Sequence, residues 1–198
     1  QAPWILPEDA FTNIENAHIR NGVIEKRKGF SVLATTGNSE RLMGLSDYVD
    51  ATNVKELMAF DTKYSYVFNV STNSFDILDG GAEIFSGSDT DFIWTANWSS
   101  TASTTSDVLF RMYFTNGKDS EGGAKNGIRY YDGDGLTTTA FAPLINDITR
   151  INGCKLIFAW GGRLYLLNTY EGTTHYPQRL RWSKNQDPSQ AGAWDDDV

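Results

Sequence analysis

The feature that most constrains the fold is a recurring succession of short, β-prone segments separated by polar turns. The segments group into three units, near residues 55–81, 91–144 and 154–194. Their starts lie roughly 35–60 residues apart, near the length of a four-stranded propeller blade with insertions. One small sheet cannot bury both apolar faces alone, so successive units are expected to stack. The pattern predicts an all-β fold of β-propeller-like repeats of short antiparallel strands, although a β-sandwich would show similar strand spacing.

The sequence before these units has a different character. Asn21-Gly22 lies between two β-prone runs, and both residues accept positive φ, which predicts a two-residue hairpin turn. Residues 1–33 are therefore assigned to an N-terminal arm and hairpin, with a further strand at 30–33. Residues 34–198 form the predicted repeat region. Three units are too few to close a propeller, which usually has four to eight blades, so an incomplete propeller is expected.

Polar stretches inside the repeat region predict loops. Residues 34–53 are mixed and polar, which indicates a loop with room for one short strand. Gly161-Gly162 predicts a turn between two apolar strands, and residues 169–177 predict a loop. The high aromatic content (13%) and the 18 glycines favour strands and turns over helices.

Charge is unevenly distributed along the chain. The net charge is −8, yet residues 42–149 carry 15 acidic and 6 basic residues, whereas residues 150–184 have a net charge of +5. A strongly acidic body is a poor generic nucleic-acid binder, because affinity for phosphate depends on Lys and Arg. The basic stretch is suited to face a negatively charged neighbouring subunit or the acidic part of the same chain. No apolar run approaches the roughly 20 residues that a membrane helix needs.

Residues with catalytic or metal-binding potential are sparse. His18 and His175 lack the spacing of a histidine metal site, and Cys154 alone allows neither an intrachain disulfide nor a cysteine zinc cluster. The apolar run around Cys154 predicts a small core residue. Residues 132–135 (DGDG) resemble the start of a calcium loop, but Pro143 occupies the position of its final Glu, which favours a β-turn. We expect no catalytic residue, no metal and no cofactor, and we predict that the chain is not an enzyme.

Tryptophan side chains raise an alternative function. Flat aromatic rings stack on the apolar faces of sugars, although tryptophan in strands more often packs in a core or an interface. A carbohydrate-binding, host-adsorption module is therefore the alternative hypothesis. A glycan-cleaving propeller enzyme is less favoured, because it needs two carboxylates about 5–10 Å apart. The tryptophans considered for a sugar platform are Trp94, Trp98, Trp160, Trp182 and Trp194.

Three stretches, taken in order, resemble a known family. They are LPEDAF (6–11) followed by NGVIEKRKGF (21–30), then GIRYYDG (127–133), and finally GRLYL (162–166) followed by PQRLRWS (177–183). In this order they are similar to the propeller-containing nozzle or hub proteins in the tails of short-tailed bacteriophages. Such proteins are usually much longer, so the chain would correspond to their N-terminal part or to a reduced relative.

The resemblance implies a virion structural protein of the phage tail. It implies a homo-oligomeric ring around the DNA exit channel, with an adaptor protein above it and tail fibres to the side. An acidic channel wall would repel phosphate and let DNA pass without sequence-specific binding.

Overall fold

The computed structural model describes residues 17–20, 23–26, 31–101, 108–120 and 125–195. The chain divides into two compact units, Gln1–Leu33 and Ala34–Val198. In the first unit, strands β1 (Ala17–Arg20) and β2 (Val23–Lys26) pair antiparallel, with Arg20 opposite Val23. This pairing confirms the two strands of the predicted hairpin, whose Asn21-Gly22 turn lies outside the described residues.

The second unit contains three antiparallel sheets, each built from four strands that follow one another along the chain. The first sheet comprises β3 (Leu42–Val49), β4 (Lys55–Asp61), β5 (Ser65–Asn69) and β6 (Ser74–Ile77). The second comprises β7 (Trp94–Thr101), β8 (Val108–Thr115), β9 (Ile128–Tyr131) and β10 (Thr139–Phe141). The third comprises β11 (Leu144–Ile145), β12 (Thr149–Trp160), β13 (Arg163–Glu171) and β14 (Thr174–Trp182). Four consecutive antiparallel strands per sheet are the pattern of propeller blades, so the predicted all-β, propeller-like fold is confirmed.

The second sheet is buried on both faces. Met112 and Phe114 of β8 belong to a core shared with the first sheet, whereas Tyr113 between them belongs to a core shared with the third sheet. Successive side chains of a strand point to opposite faces, so one strand supplies both cores. This is why residues 108–114 (VLFRMYF) read as a nearly continuous apolar run instead of an alternation.

Polar side chains join neighbouring sheets at defined points. Between the first and second sheets, the Asp79 carboxylate accepts hydrogen bonds from the backbone N–H (2.9 Å) and the hydroxyl (2.7 Å) of Thr138. Between the second and third sheets, Trp98 Nε1 donates to the carbonyl of Gly162 (3.0 Å). The Thr115 hydroxyl donates to the buried carbonyl of Cys154 (2.8 Å). These bonds satisfy polar groups at sheet junctions and fix how the sheets are aligned.

The predicted Gly161-Gly162 turn and the predicted core cysteine are confirmed. Gly161 and Gly162 have φ values of 58° and 75°, as a tight two-residue hairpin turn requires, and Trp160 pairs with Arg163 across it. Residues 132–135 contain bends but no hydrogen-bonded β-turn, and the Asp134 carboxylate instead accepts bonds from the backbone N–H groups of Leu136 and Thr137. Cys154 is fully buried in the core between the second and third sheets.

Three expectations from the sequence were wrong in detail. The first sheet begins with an eight-residue strand at Leu42, which the polar sequence concealed because only Met43 and Tyr48 of that strand are buried. Residues 31–33 form no strand, and the side chains of Val32 and Leu33 are exposed. The expected loop at 169–177 shrinks to a tight turn, because β13 continues to Glu171 and β14 starts at Thr174.

We predict that Phe114→Ala lowers the free energy of unfolding by about 3–5 kcal/mol, the usual cost of truncating a buried phenylalanine. The Phe114 ring is fully buried, and its centroid lies 4.8 Å from the centroid of the Phe60 ring in the first sheet. Urea unfolding monitored by circular dichroism measures the change. Leu136→Ala, at a loop residue that is 70% exposed, is the control and should change stability by less than about 0.5 kcal/mol.

Candidate functional site

The third sheet has two unlike faces. Ile157 of β12 and Leu164 and Leu166 of β13 are buried in the core shared with the second sheet. On the opposite side, Trp160 is 74% exposed and Trp182 is 52% exposed. We call this side the outer aromatic face, and define it by Leu156, Phe158, Trp160, Tyr165, Leu167, Leu180 and Trp182.

Strand register assembles this face from three strands. Phe158 of β12 pairs with Tyr165 of β13, which pairs with Trp182 of β14. In the next row, Leu156 pairs with Leu167, which pairs with Leu180. The stacked rings of Phe158 and Tyr165 have centroids 4.8 Å apart and lie within 4° of parallel. Cross-strand rows of this kind place the seven side chains on one side of the sheet.

A local irregularity limits how far the face extends along the sheet. Asn168 has a φ of 57° within β13, and the register with β14 shifts between Leu167 and Thr169. The positions of β13 that are buried therefore change from even-numbered to odd-numbered residues. Leu164 and Leu166 are buried before the shift, and Thr169 and Glu171 are buried after it. The exposed aromatic side chains are confined to the half of the sheet near the Gly161-Gly162 turn.

Beyond this shift, an ion cluster centred on the buried carboxylate of Glu171 joins β13 and β14. The Glu171 carboxylate accepts hydrogen bonds from Arg179 (2.6 Å), Arg181 (3.1 Å) and the Thr169 hydroxyl (2.7 Å). Burial opposes ionisation of Glu171, but these hydrogen bonds outweigh it and hold its pKa below the ordinary value. The cluster therefore stabilises the third sheet while Glu171 is charged.

A concave region lies between the first and second sheets. It has a volume of about 440 Å³ and is lined by Tyr48, Glu56, Arg111 and Asp132, among others. The Tyr131 hydroxyl donates to Glu56 (2.7 Å), and the Tyr48 hydroxyl donates to the carbonyl of Asp132 (2.9 Å). Burial, reinforced by neighbouring carboxylates, raises the pKa of Tyr48 to about 12, so Tyr48 remains a hydrogen-bond donor at neutral pH. These bonds connect the two sheets, so the groups in this cleft contribute to the structure.

The structure brings together two of the five tryptophans considered for a sugar platform. Trp160 and Trp182 lie on the outer aromatic face, whereas Trp98 and Trp194 are buried in the core. Trp94 is partly exposed at the start of β7 in the second sheet. A platform of all five side chains is therefore wrong, because the strand alternation that buries Trp98 directs it into the core.

The face contains residues that the sequence reasoning did not single out, namely Phe158, Tyr165 and Leu180. Their signal was the alternation at 156, 158 and 160, continued at 165 and 167 on the next strand. It was masked because the intervening residues, such as Ile157 and Leu166, are also apolar and face the core.

The two histidines belong to different compact units. His175 is exposed on β14, where it stacks on Tyr170 (4.2 Å between centroids) and hydrogen-bonds to Asn168. His18 belongs to β1 in the other compact unit. Within the described residues, no group of three or more His, Cys, Asp or Glu side chains is arranged to hold a metal ion. The same residues include no helix with the length and apolar character needed to cross a membrane.

Comparisons of the chain with protein-family models, with curated proteins and with solved structures found no match.

We predict that Trp160→Gln and Trp182→Gln each change the free energy of unfolding by less than about 1 kcal/mol, because both rings face solvent. Trp98→Gln is the matched control. It removes a buried ring and the bond from Nε1 to Gly162, and should cost about 3–5 kcal/mol. Urea unfolding of the three variants measures the difference. A large loss in either face variant would place that ring in the core of this chain.

We also predict that Glu171 makes stability depend on acid pH. An unfolded glutamate titrates near pH 4.3, and the folded pKa lies lower. The stabilisation is therefore complete above about pH 4.3 and disappears as the pH falls through the folded pKa. Glu171→Gln should lower stability at pH 7 by about 1.5–3 kcal/mol, the usual contribution of hydrogen bonds to a charged group, because the partly exposed Arg179 and Arg181 lose their charged acceptor.

Urea unfolding between pH 7 and pH 3 measures this dependence. Glu171→Gln should flatten the decline in stability below pH 4.5 relative to the unchanged protein. Asp89→Asn is the control, since it removes an exposed carboxylate in a surface ion pair with Arg41. An equal decline of stability with falling pH in Glu171→Gln and the unchanged protein would show that Glu171 is not the source of the pH dependence.

Proposed function

We propose that this chain is a structural protein of a bacteriophage tail, part of a nozzle or hub ring around the DNA exit channel. The observation that carries the assembly role is the outer aromatic face, an apolar sheet surface on which Trp160 and Trp182 are exposed among the residues that the structure describes. The family resemblance of residues 6–11, 21–30, 127–133, 162–166 and 177–183 supports the location in a virion. Its expected neighbours are further copies of the chain, an adaptor protein and tail fibres.

The chemistry of the face favours a protein partner. Large aromatic and aliphatic side chains dominate it, and such side chains are enriched at the buried centres of protein interfaces. The stacked Phe158 and Tyr165 rings are fixed by strand register, so docking would order few additional side chains. A contiguous exposed apolar patch on a folded domain ordinarily marks an interaction site.

The charge distribution supports a channel role. Residues 42–149 have a net charge of −9, formed by 15 acidic and 6 basic residues. A ring that directs these carboxylates inward would repel DNA phosphates, so the DNA would pass through without binding. On this proposal the chain surrounds the DNA and recognises no nucleotide sequence.

Carbohydrate binding is the second candidate, and the exposed Trp160 and Trp182 rings on one face favour it. A sugar ring stacks on a flat aromatic side chain through its apolar face. If the chain binds carbohydrate, the outer aromatic face is a receptor-binding site that stays exposed. If the chain is a structural protein, the face is buried in the assembled particle. Accessibility of Trp160 in the particle therefore separates the two candidates.

We predict that virus particles from cultures producing this chain contain it in a fixed copy number, with ring-shaped density below the portal. Quantitative mass spectrometry and electron cryo-microscopy of purified particles measure both.

Complementation with Trp160→Gln/Trp182→Gln should reduce the yield of tailed particles at least tenfold, whereas Leu136→Gln/Ile148→Gln, at exposed loop residues, should not. Absence of the chain from purified particles would contradict the virion role. A glycan-array signal abolished by Trp160→Gln, with normal particle assembly, would establish the carbohydrate reading instead.

A further inference from the structure

A pocket of about 310 Å³ lies beside β14, at the margin of the outer aromatic face. The residues that line it include Arg163, Trp182, Lys184 and Asp195. The segment after β14 folds back on itself, since the backbone N–H of Lys184 donates to the carbonyl of Ala193 (2.7 Å). The pocket therefore has one wall from the third sheet and a second wall from the segment that follows it.

The charge that distinguishes this pocket is that of Arg163. It pairs with Trp160 across the hairpin turn, so its side chain lies on the same side of the sheet as the Trp160 ring. Arg163 is half-buried, and within the part of the chain that the structure describes its guanidinium has no hydrogen bond or ion pair. A partly desolvated guanidinium without a partner favours an anion, which can accept two parallel N–H bonds from it.

The other charged residues at the pocket have partners within the chain. Arg181, which also lines the pocket, donates to the Glu171 carboxylate (3.1 Å). The Asp195 carboxylate accepts a hydrogen bond from a backbone N–H group (2.9 Å), and Lys184 is likewise partnered. Arg163 is therefore the cation that an incoming ligand would meet unpaired.

An exposed aromatic ring lies next to this guanidinium. Trp182 is 52% exposed and pairs with Tyr165, which is two residues beyond Arg163 on β13. Trp182 and Arg163 are therefore diagonal neighbours on one side of the sheet, with backbones about 7–8 Å apart. A ligand that covers both side chains needs a flat apolar face for the ring and an anionic group beside it for the guanidinium.

A sugar that bears a carboxylate has both features, because its ring presents C–H groups on one face and its carboxylate is attached directly to the ring. The pocket volume is near the lower end of ligand sites, roughly 300–1,000 Å³, which suits one sugar unit. Nucleic acid fits less well, because the net charge of −8 on the chain repels a polyanion. From the unpaired guanidinium and the exposed ring, we infer that this pocket binds an acidic sugar unit, with its ring stacked on Trp182 and its carboxylate bonded to Arg163. The inference rests on carbohydrate binding, the second candidate function, and names the class of sugar.

Titration of the purified full chain with methyl glucuronide and with methyl glucoside, followed by NMR, tests the inference. The two sugars differ at one carbon, which carries a carboxylate in the first and a hydroxymethyl group in the second. The glucuronide should bind at least about tenfold more tightly, because hydrogen bonds between charged groups are the stronger ones. Arg163→Gln should lower glucuronide affinity to that of the glucoside and leave glucoside binding unchanged.

Further variants separate the two contacts. Trp182→Gln should weaken binding of both sugars by a similar factor, at least about fivefold, since both stack on the ring. Trp94→Gln makes the same change at a 47% exposed tryptophan of the second sheet and should retain both affinities. Arg163→Lys keeps the charge without the planar fork and should retain part of the preference for the glucuronide. Circular dichroism and thermal unfolding should show that all these variants remain folded, and added salt should weaken only glucuronide binding.

Three results would overturn the inference, and each has a different meaning for the proposed functions. Equal binding of the two sugars would remove the preference for acid while carbohydrate binding stands. Binding of neither sugar would overturn the carbohydrate candidate as well and leave the assembly role to be decided by the composition of purified particles. Acetate or inorganic phosphate binding as tightly as the glucuronide would show an anion site that recognises no sugar.

Discussion

The arrangement of the second unit depends on the burial of β8 from both sides. Met112 and Phe114 contact one neighbouring sheet and Tyr113 contacts the other, so each outer sheet is positioned by its contact with the same strand. Removing either neighbour would expose one half of this apolar run to water. The same geometry leaves the first and third sheets with one face each that the second sheet does not cover. The exposed aromatic side chains of the third sheet are thus a direct consequence of a stack that ends there in the described residues.

Apolar burial alone does not specify how the sheets are aligned, and buried polar links supply that information. Arg111 on β8 forms a buried ion pair with Asp187 (2.7 Å) and lies over the Tyr130 ring (4.5 Å to the centroid), which fastens the segment after β14 to the second sheet. On the opposite side, Glu56 accepts a bond from Tyr131. A buried group that loses its partner costs more than the bond itself contributes, so these links penalise alternative alignments.

Local patterns predicted many of the strands and the Gly161-Gly162 turn, whereas tertiary context decided the rest. Gly161-Gly162 was readable because the turn needs positive φ at both residues, and β12 and β13 were readable from their apolar runs. β3 was concealed because it buries only Met43 and Tyr48. The outer aromatic face could not be located from sequence, since Ile157 and Phe158 look alike until the packing of the sheets shows which one faces solvent. The same limit applies to Trp98 and Trp160. Their side chains are identical, yet Trp98 is buried in the core and Trp160 is exposed.

The edge of the third sheet bears on how a partner would bind. β14 is the last strand of that sheet, and an open edge strand would invite another strand to pair with it. Pro177 lies within β14 and has no backbone N–H to donate, the register shifts beside it, and the charged Arg179 and Arg181 follow. Proline, irregular register and charge are the usual means of blocking strand addition at an edge. Because the edge is blocked while the face beside it presents Trp160 and Trp182, a partner would gain most by packing a surface against the sheet. This is the mode of contact that the chain already uses on both sides of β8.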